Sequence, residues 1–225
     1  MIPTTIVDNF LQEPDSLIHY AKTLDYRPDE LNSLPGQRSE HLRHINPTLH
    51  TELVEKVMAL FLPFNELENI EHDVVSKFQI IPREYKSGLV HFDPSLFTAI
   101  LYLNKETDVN YGTSLWTPKP NQFIHDEEYH ETQKVKREIL KRITETGSSM
   151  NKEEEEVYNK HNNRFEKHID IHGRFNRLCM FEGTYWHKAN DTNLKNDDRM
   201  ILIMFFKQLR CGIMPLQRSK TIKLL

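Results

Sequence analysis

Four residues carry the chemistry this chain could perform: His91 and Asp93, two apart in Val90-His-Phe-Asp-Pro94, and then His187 and Arg199 far downstream. On a strand, residues two apart project to one face, so His91 and Asp93 can present an imidazole nitrogen and a carboxylate oxygen side by side. A second imidazole completes the two-histidine, one-carboxylate facial triad, which suits Fe(II) because one hemisphere of the metal stays free. A structural zinc site would close all four positions, usually with cysteine, and the chain has only Cys179 and Cys211. Arg199 opens the apolar run Met200 to Phe206. A guanidinium there is either at the strand's exposed edge or paired with an anion, and a small dicarboxylate would match its planar fork.

An H-x-D pair is weak evidence alone in a chain with 12 histidines. A second one lies in the alternating run His168-Ile-Asp170-Ile-His172. As a strand, this run would set His168, Asp170 and His172 on one face, either as a competing metal site or as the solvent face of an edge strand. His125 and His130 are five apart, poor spacing for joint ligation from one helix, and read as surface residues. Taken singly, His187 reads as a turn residue and Arg199 as a strand cap. The ordered set carries the weight.

The elements that must position these residues follow from periodicity. Ile2 to Leu11 reads as a short strand. Pro14 and Asp15 open a helix with Leu17, Tyr20, Ala21 and Leu24 on one face, and a second amphipathic helix runs from Thr48 to Leu62, stopped by Pro63. Residues 31 to 47, with Pro35, Gly36 and Pro47, read as a loop. Beyond Val74 the pattern turns to strand-length apolar runs: Val74 to Pro82, Leu89 to Phe92, Phe97 to Leu103, Leu178 to Phe181 and Met200 to Phe206. These predict a mainly β sandwich or barrel with flanking helices. His187 follows a strand and tight turn, Phe181-Glu-Gly-Thr-Tyr-Trp186, which would set it at a sheet end. Residues 126–168 are highly charged and predict two helices joined near Gly147-Ser148-Ser149, either a solvated insertion or a lid over a site.

At 225 residues the chain fits one domain, 1–225, interrupted by that insertion. A net charge of -4, with both signs mixed, gives no basic stripe for nucleic acid. Two distant cysteines suggest a reducing compartment. The start lacks a signal peptide's pattern and no window is apolar enough to span a membrane, so a soluble, cytoplasmic protein is expected.

His91-Phe-Asp93, Tyr102-Leu-Asn104, the Tyr111-Gly112 turn with Leu115, Asn176-Arg-Leu-Cys-Met-Phe181, His187 and Arg199 together resemble the Fe(II)/2-oxoglutarate-dependent dioxygenases. The similarity is to the prolyl-hydroxylase-like branch and its uncharacterised bacterial and phage relatives. Val7-Asp-Asn-Phe-Leu11, Pro14-Asp15 and Leu34-Pro-Gly-Gln-Arg38 are similar to the lead-in of those relatives. The resemblance implies a double-stranded β-helix, or jelly-roll, with the N-terminal helices packed on one sheet. It implies that His91, Asp93 and His187 bind Fe(II), that Arg199 pairs with the distal carboxylate of 2-oxoglutarate, and that Tyr102 hydrogen-bonds the same carboxylate. It implies that O2 takes the remaining metal position, and that oxidative decarboxylation to succinate and CO2 drives hydroxylation or demethylation. The pattern departs at Ile81, where prolyl hydroxylases often carry a polar aromatic; Gln79, Tyr85 or Thr98 are the replacements at hand.

The expected function is therefore an oxygenase acting on an unidentified small molecule or protein side chain. The alternative is a non-catalytic jelly-roll that binds metal or serves as a structural or interaction module. Arg38, Arg83 and Trp116, in segments that would flank the iron, are the candidate substrate contacts.

Overall fold

The computed structural model describes residues 4–29, 34–62, 70–83, 85, 88–106, 110–122, 124, 126–190 and 198–211. Among them the chain forms, in order, β1 (Thr5–Val7), α1 (Pro14–Lys22), β2 (Tyr26–Pro28), β3 (Gln37–Ser39), α2 (Leu42–Ile45), α3 (Pro47–Met58) and β4 (Glu71–Ile81). There follow β5 (Phe97–Tyr102), β6 (Gly112–Pro118), α4 (Asp126–Thr146), α5 (Lys152–Asn162), β7 (Phe165–His172), β8 (Arg177–Glu182), β9 (Trp186–Ala189) and β10 (Arg199–Arg210).

Local chemistry explains the helices. Pro14 and Pro47 sit at helix starts, where a missing N–H costs nothing and a fixed φ helps. Asn46 caps α3 by accepting from Leu49 N at 3.1 Å. The helix ends at Met58, short of the expected Leu62; Pro63 lies outside the described residues. The segment expected as loop, 31–47, holds β3 and α2 instead. β3 exists because it pairs with β4, Arg38 against Gln79, and a three-residue strand made by a distant partner leaves no periodicity of its own.

The strands form two antiparallel sheets. The larger has the order β1-β8-β5-β10-β4-β3-β2, the smaller β7-β6-β9. β5 is central and buried at all six positions, which explains its unbroken apolar sequence. Phe97, Ala99 and Leu101 join α1 and α3 in one core with Leu202, Met204 and Phe206, as expected for N-terminal helices packed on one sheet. Ile100 and Tyr102, with Ile201, Ile203 and Phe205, face the small sheet in a second core. The strand period of two assigns Arg199 to this second face, between the sheets.

The insertion forms the two expected helices, joined across residues 147–151. Its end differs from expectation: residues 165–168 already belong to β7, because Phe165 pairs with Pro118 of β6. Nor is it merely a solvated excursion. Ile139, Leu140, Ile143 and Tyr158 bury with Ile81, Tyr85 and Leu89 in a third core. Asn151 and Glu154 cap α5 reciprocally.

Candidate metal centre and anion pocket

His91 does not lie in a strand, as the reading of Leu89 to Phe92 expected. It makes one isolated antiparallel bridge to His187, at the start of β9. The two residues exchange both backbone hydrogen bonds, 2.9 and 2.7 Å, which sets their rings on one side with centroids 4.5 Å apart. The chain then leaves the ladder. Asp93 N donates to Gly183 O and Ser95 N to Asp93 O, both at 2.8 Å, and this turn folds the carboxylate back toward the imidazoles. Gly183 is required there, since a Cβ would sit 2.2 Å from Ser95 O.

The result is a group whose ligand atoms all lie within 4.8 Å of one another: His91, Asp93 and His187. His187 Nε2 is 3.2 Å from Asp93 Oδ2, and His91 Nε2 is 3.8 Å from Oδ1. Each Nδ1 lies 2.8 Å from a carbonyl, Leu89 O for His91 and Tyr185 O for His187. Those carbonyls accept only from an Nδ1–H, so Nε2 is the atom that each imidazole turns toward the carboxylate. Burial pushes the His91 imidazolium down to about 3, with Lys136 and His187 adding to the effect. Burial opposes ionisation of Asp93, yet the neighbouring imidazoles and a 2.7 Å bond from Thr98 Oγ1 hold its carboxyl below the usual range. A neutral imidazole beside an ionised carboxylate is the protonation state that a divalent metal requires.

A cavity of about 70 Å³ opens beside the three donors, lined also by Arg38, Gln79, Thr113 and Arg199 and by the apolar side chains Ile81, Ile100, Ile201 and Ile203. Arg199 is 1 % exposed. One Nη donates to Gly112 O at 3.0 Å, its Nε has no acceptor, and it makes no ion pair among the described residues. Its guanidinium rests on Tyr111 and Tyr102, 5.2 and 5.7 Å from the ring centroids. Gly112 holds its carbonyl in place at φ 145°, with a Cβ there only 2.0 Å from Ile171 O.

The structure thus brings His91, Asp93, His187, Arg199 and Arg38 together. Tyr102 lies one layer back: its hydroxyl donates to Thr113 Oγ1 at 2.8 Å, and Thr113 is the residue on the cavity wall. Arg83 is exposed on the turn after β4 and does not line this cavity. Trp116 lies just past a bulge in the neighbouring β7, at His168, and turns toward Ser114 and Lys188, in a different cleft. Of the replacements considered for the contact missing at Ile81, Gln79 lines the cavity, Thr98 supports Asp93, and Tyr85 packs under the insertion. The competing run His168-Ile-Asp170-Ile-His172 is a strand, β7, but its three polar side chains are exposed and form no cluster. His168 sits at the bulge of β7, opposite the step from Leu115 to Trp116, and Asp170 is engaged by Lys167 Nζ and Asn190 Nδ2, each at 2.7 Å. His130 is exposed, and His125 lies outside the described residues.

The insertion supplies what the sequence reading missed. Tyr129 of α4 stacks on Phe92, between the two ligands, and Trp186 meets both rings edge-on. Asn162 accepts from Val90 N at 2.8 Å and donates to Gly88 O at 3.1 Å, while His161 Nε2 lies 2.8 Å from Val90 O. Lys136 is 4 % exposed. A signal existed: Tyr129, Lys136 and Ile143 are seven apart, so the lysine interrupts an otherwise apolar helix face.

A family model described as a family of unknown function, DUF6445, matches residues 2–199. The chain belongs to that family. No functionally curated protein matches this DUF6445 chain by sequence. Among solved structures it is similar to HygX from Streptomyces hygroscopicus with nickel and 2-oxoglutarate bound, at 10% identity and TM-score 0.50, over 90% of this chain and 82% of that one. The same protein with nickel, 2-oxoglutarate and hygromycin B gives 11% identity and TM-score 0.50 over the same shares. A prolyl hydroxylase from Trichoplax adhaerens, in complex with a hypoxia inducible factor peptide, gives 14% and 0.49 over 90% and 82%. The DUF6445 chain therefore shares the fold of Fe(II)/2-oxoglutarate oxygenases. Among its described residues no helix is long and apolar enough to cross a membrane.

Proposed function

We propose that this protein is an Fe(II)- and 2-oxoglutarate-dependent oxygenase, one double-stranded β-helix unit with a helical insertion, that hydroxylates or demethylates a substrate still to be identified. One observation carries the reading. Arg199 is a buried guanidinium with no carboxylate partner among the described residues, in the same cavity as two imidazoles and a carboxylate that could hold a metal. A buried charge without a counter-ion costs several kcal/mol, on the order of 3–5, and a dicarboxylate bridging metal and guanidinium would offset that cost.

In this reading His91, Asp93 and His187 hold Fe(II), and Arg199 receives the distal carboxylate of 2-oxoglutarate. When bound, iron and 2-oxoglutarate supply dioxygen activation and oxidative decarboxylation to succinate and CO2. The chain does the rest. Leu89 O and Tyr185 O keep each Nδ1 protonated, so that Nε2 is the donor atom. Thr98 orients Asp93. Tyr102 fixes Thr113 on the cavity wall, and Ile81, Ile100, Ile201 and Ile203 keep water from the reacting centre. Phe92, Tyr129 and Trp186 form the mouth against which a substrate would rest. The binding of nickel and 2-oxoglutarate by HygX supports the cosubstrate assignment.

The test is calorimetric titration of 2-oxoglutarate into the Mn(II)-loaded protein, followed by oxygen uptake with Fe(II). The wild type should bind 2-oxoglutarate, and His187→Ala should lose both metal and cosubstrate. A metal-loaded wild type that never binds 2-oxoglutarate ends the proposal.

A further inference from the structure

We infer that Lys136 and Arg38 form an anion subsite beside the metal donors, so that the substrate of this oxygenase carries a carboxylate or phosphate group. The inference rests on the oxygenase reading for the word substrate, but the subsite stands on its own geometry.

α4 crosses the mouth of the site. Two turns before Lys136, Tyr129 lies on Phe92; one turn after it, Leu140 lines a cleft with Gly36 and Gln37, the residues that lead into Arg38. Lys136 is therefore held between the metal-ligand turn and β3, on the buried face of its helix. It makes no hydrogen bond or ion pair among the described residues. Arg38 lines the metal cavity, spends one Nη on Gln79 Oε1 at 3.0 Å, and leaves its buried Nε without an acceptor. Two cations with unused donors thus stand on elements packed about the same turn, Arg38 on the cavity wall and Lys136 on the buried face of the helix that crosses it.

Charge balance says what is missing. Among the described residues, two acids oppose these cations, Asp93 and Asp29. A divalent metal takes up the charge of Asp93, and 2-oxoglutarate with Arg199 then leaves the metal site neutral. Asp29 offsets only one of the two remaining cations. Burial, with Arg38 and Arg137 adding to it, pushes Lys136 down to about 8 against the pull of Asp93 and Asp29, and a bound anion would hold that charge more firmly. A carboxylate or phosphate from a ligand supplies the charge and the acceptor atoms together.

The protein loaded with Mn(II) and N-oxalylglycine, an unreactive 2-oxoglutarate analogue, is titrated calorimetrically with inorganic phosphate and, separately, with acetate. At least one should bind saturably, and which one binds more tightly names the group on the substrate. Lys136→Met should weaken it tenfold or more and Lys136→Arg should restore much of the loss, with N-oxalylglycine affinity the same in all three. Binding of neither anion to the wild type, or equal binding by Lys136→Met, overturns the subsite. If Lys136→Met does not fold, Arg38→Gln carries the same comparison. Failure of N-oxalylglycine to bind the wild type would count against the oxygenase reading alone. The anion titrations are then made on the metal-free protein, where the same variant comparison decides the subsite.

Discussion

Phe92 and Tyr129 stack with ring centroids 5.1 Å apart and 17° between their planes. Phe92 stands between two candidate metal ligands, His91 and Asp93, and Tyr129 belongs to the first turn of the insertion. The charged helices are thereby joined to the candidate centre, and their packing becomes part of its geometry. Four consequences can be measured.

Asn162→Ala should reach the metal from a distance. Asn162 bonds Val90 N and Gly88 O just before His91, in a buried setting. Removing it strands both groups and should lower stability by about 1–3 kcal/mol. It should also weaken Mn(II) binding about tenfold, because the bridge that places His91 loosens. Unchanged metal affinity with a lowered Tm would show that the clamp serves folding alone.

Thr98→Val keeps the shape and deletes the hydroxyl that donates to Asp93 Oδ2 at 2.7 Å. Partners that orient a ligand commonly contribute about 10–100-fold in metal affinity, and a loss in that range is expected here. Thermal stability should fall as well, by about 1–3 kcal/mol, since the deletion also strands the buried Ser95 hydroxyl, 3.1 Å from Thr98 Oγ1. Metal titration followed by calorimetry reads both.

Arg199→Met should separate function from stability. It replaces a buried, unpaired charge by a side chain of similar length, a change that is often neutral or stabilising by about 1–4 kcal/mol. The Tm is expected to equal or exceed that of the wild type, although the bond to Gly112 O is lost. Affinity for 2-oxoglutarate should drop at least 100-fold, by roughly 3 kcal/mol. A large fall in Tm would mean that Arg199 is a structural strut.

Stability should decline with acidification through His50. This imidazole is buried under α3, with Nδ1 2.7 Å from Ser76 Oγ and Nε2 without a partner. Burial, reinforced by Arg43 and by His41 and His72, pushes it from 6.5 down to about 4. The unfolded chain therefore binds the proton more tightly than the folded one. Above pH 6.5 neither state is protonated and the group has no effect. As the pH falls from 6.5 to 4 the unfolded state gains, and roughly 1–3 kcal/mol of stability is lost. His50→Gln should flatten the slope of urea midpoint against pH in that window; an unchanged slope assigns the effect elsewhere.

Much of this protein was legible in its residues alone. Periodicity alone located α1, α3, β4, β5, β8 and β10, because burial on one or both faces writes itself into the spacing of apolar side chains. The residue types of His91, Asp93, His187 and Arg199 were enough to suggest a place for a metal and an anion, and all four line one cavity. What only the tertiary structure decided is which H-x-D pair converges. His91 and Asp93 meet because the chain breaks from its bridge into a turn, whereas the exposed His168 sits at a bulge of β7 and the exposed Asp170 is engaged by Lys167 and Asn190. Tyr102 stands one layer behind Thr113, Arg83 lies on the turn beyond the end of β4, and Trp116 sits past the bulge at His168 of β7; none of these placements has a local signature. The role of Lys136 was hidden for the same reason: a lysine on a charged helix looks solvated until the helix is laid against β3 and the ligand turn.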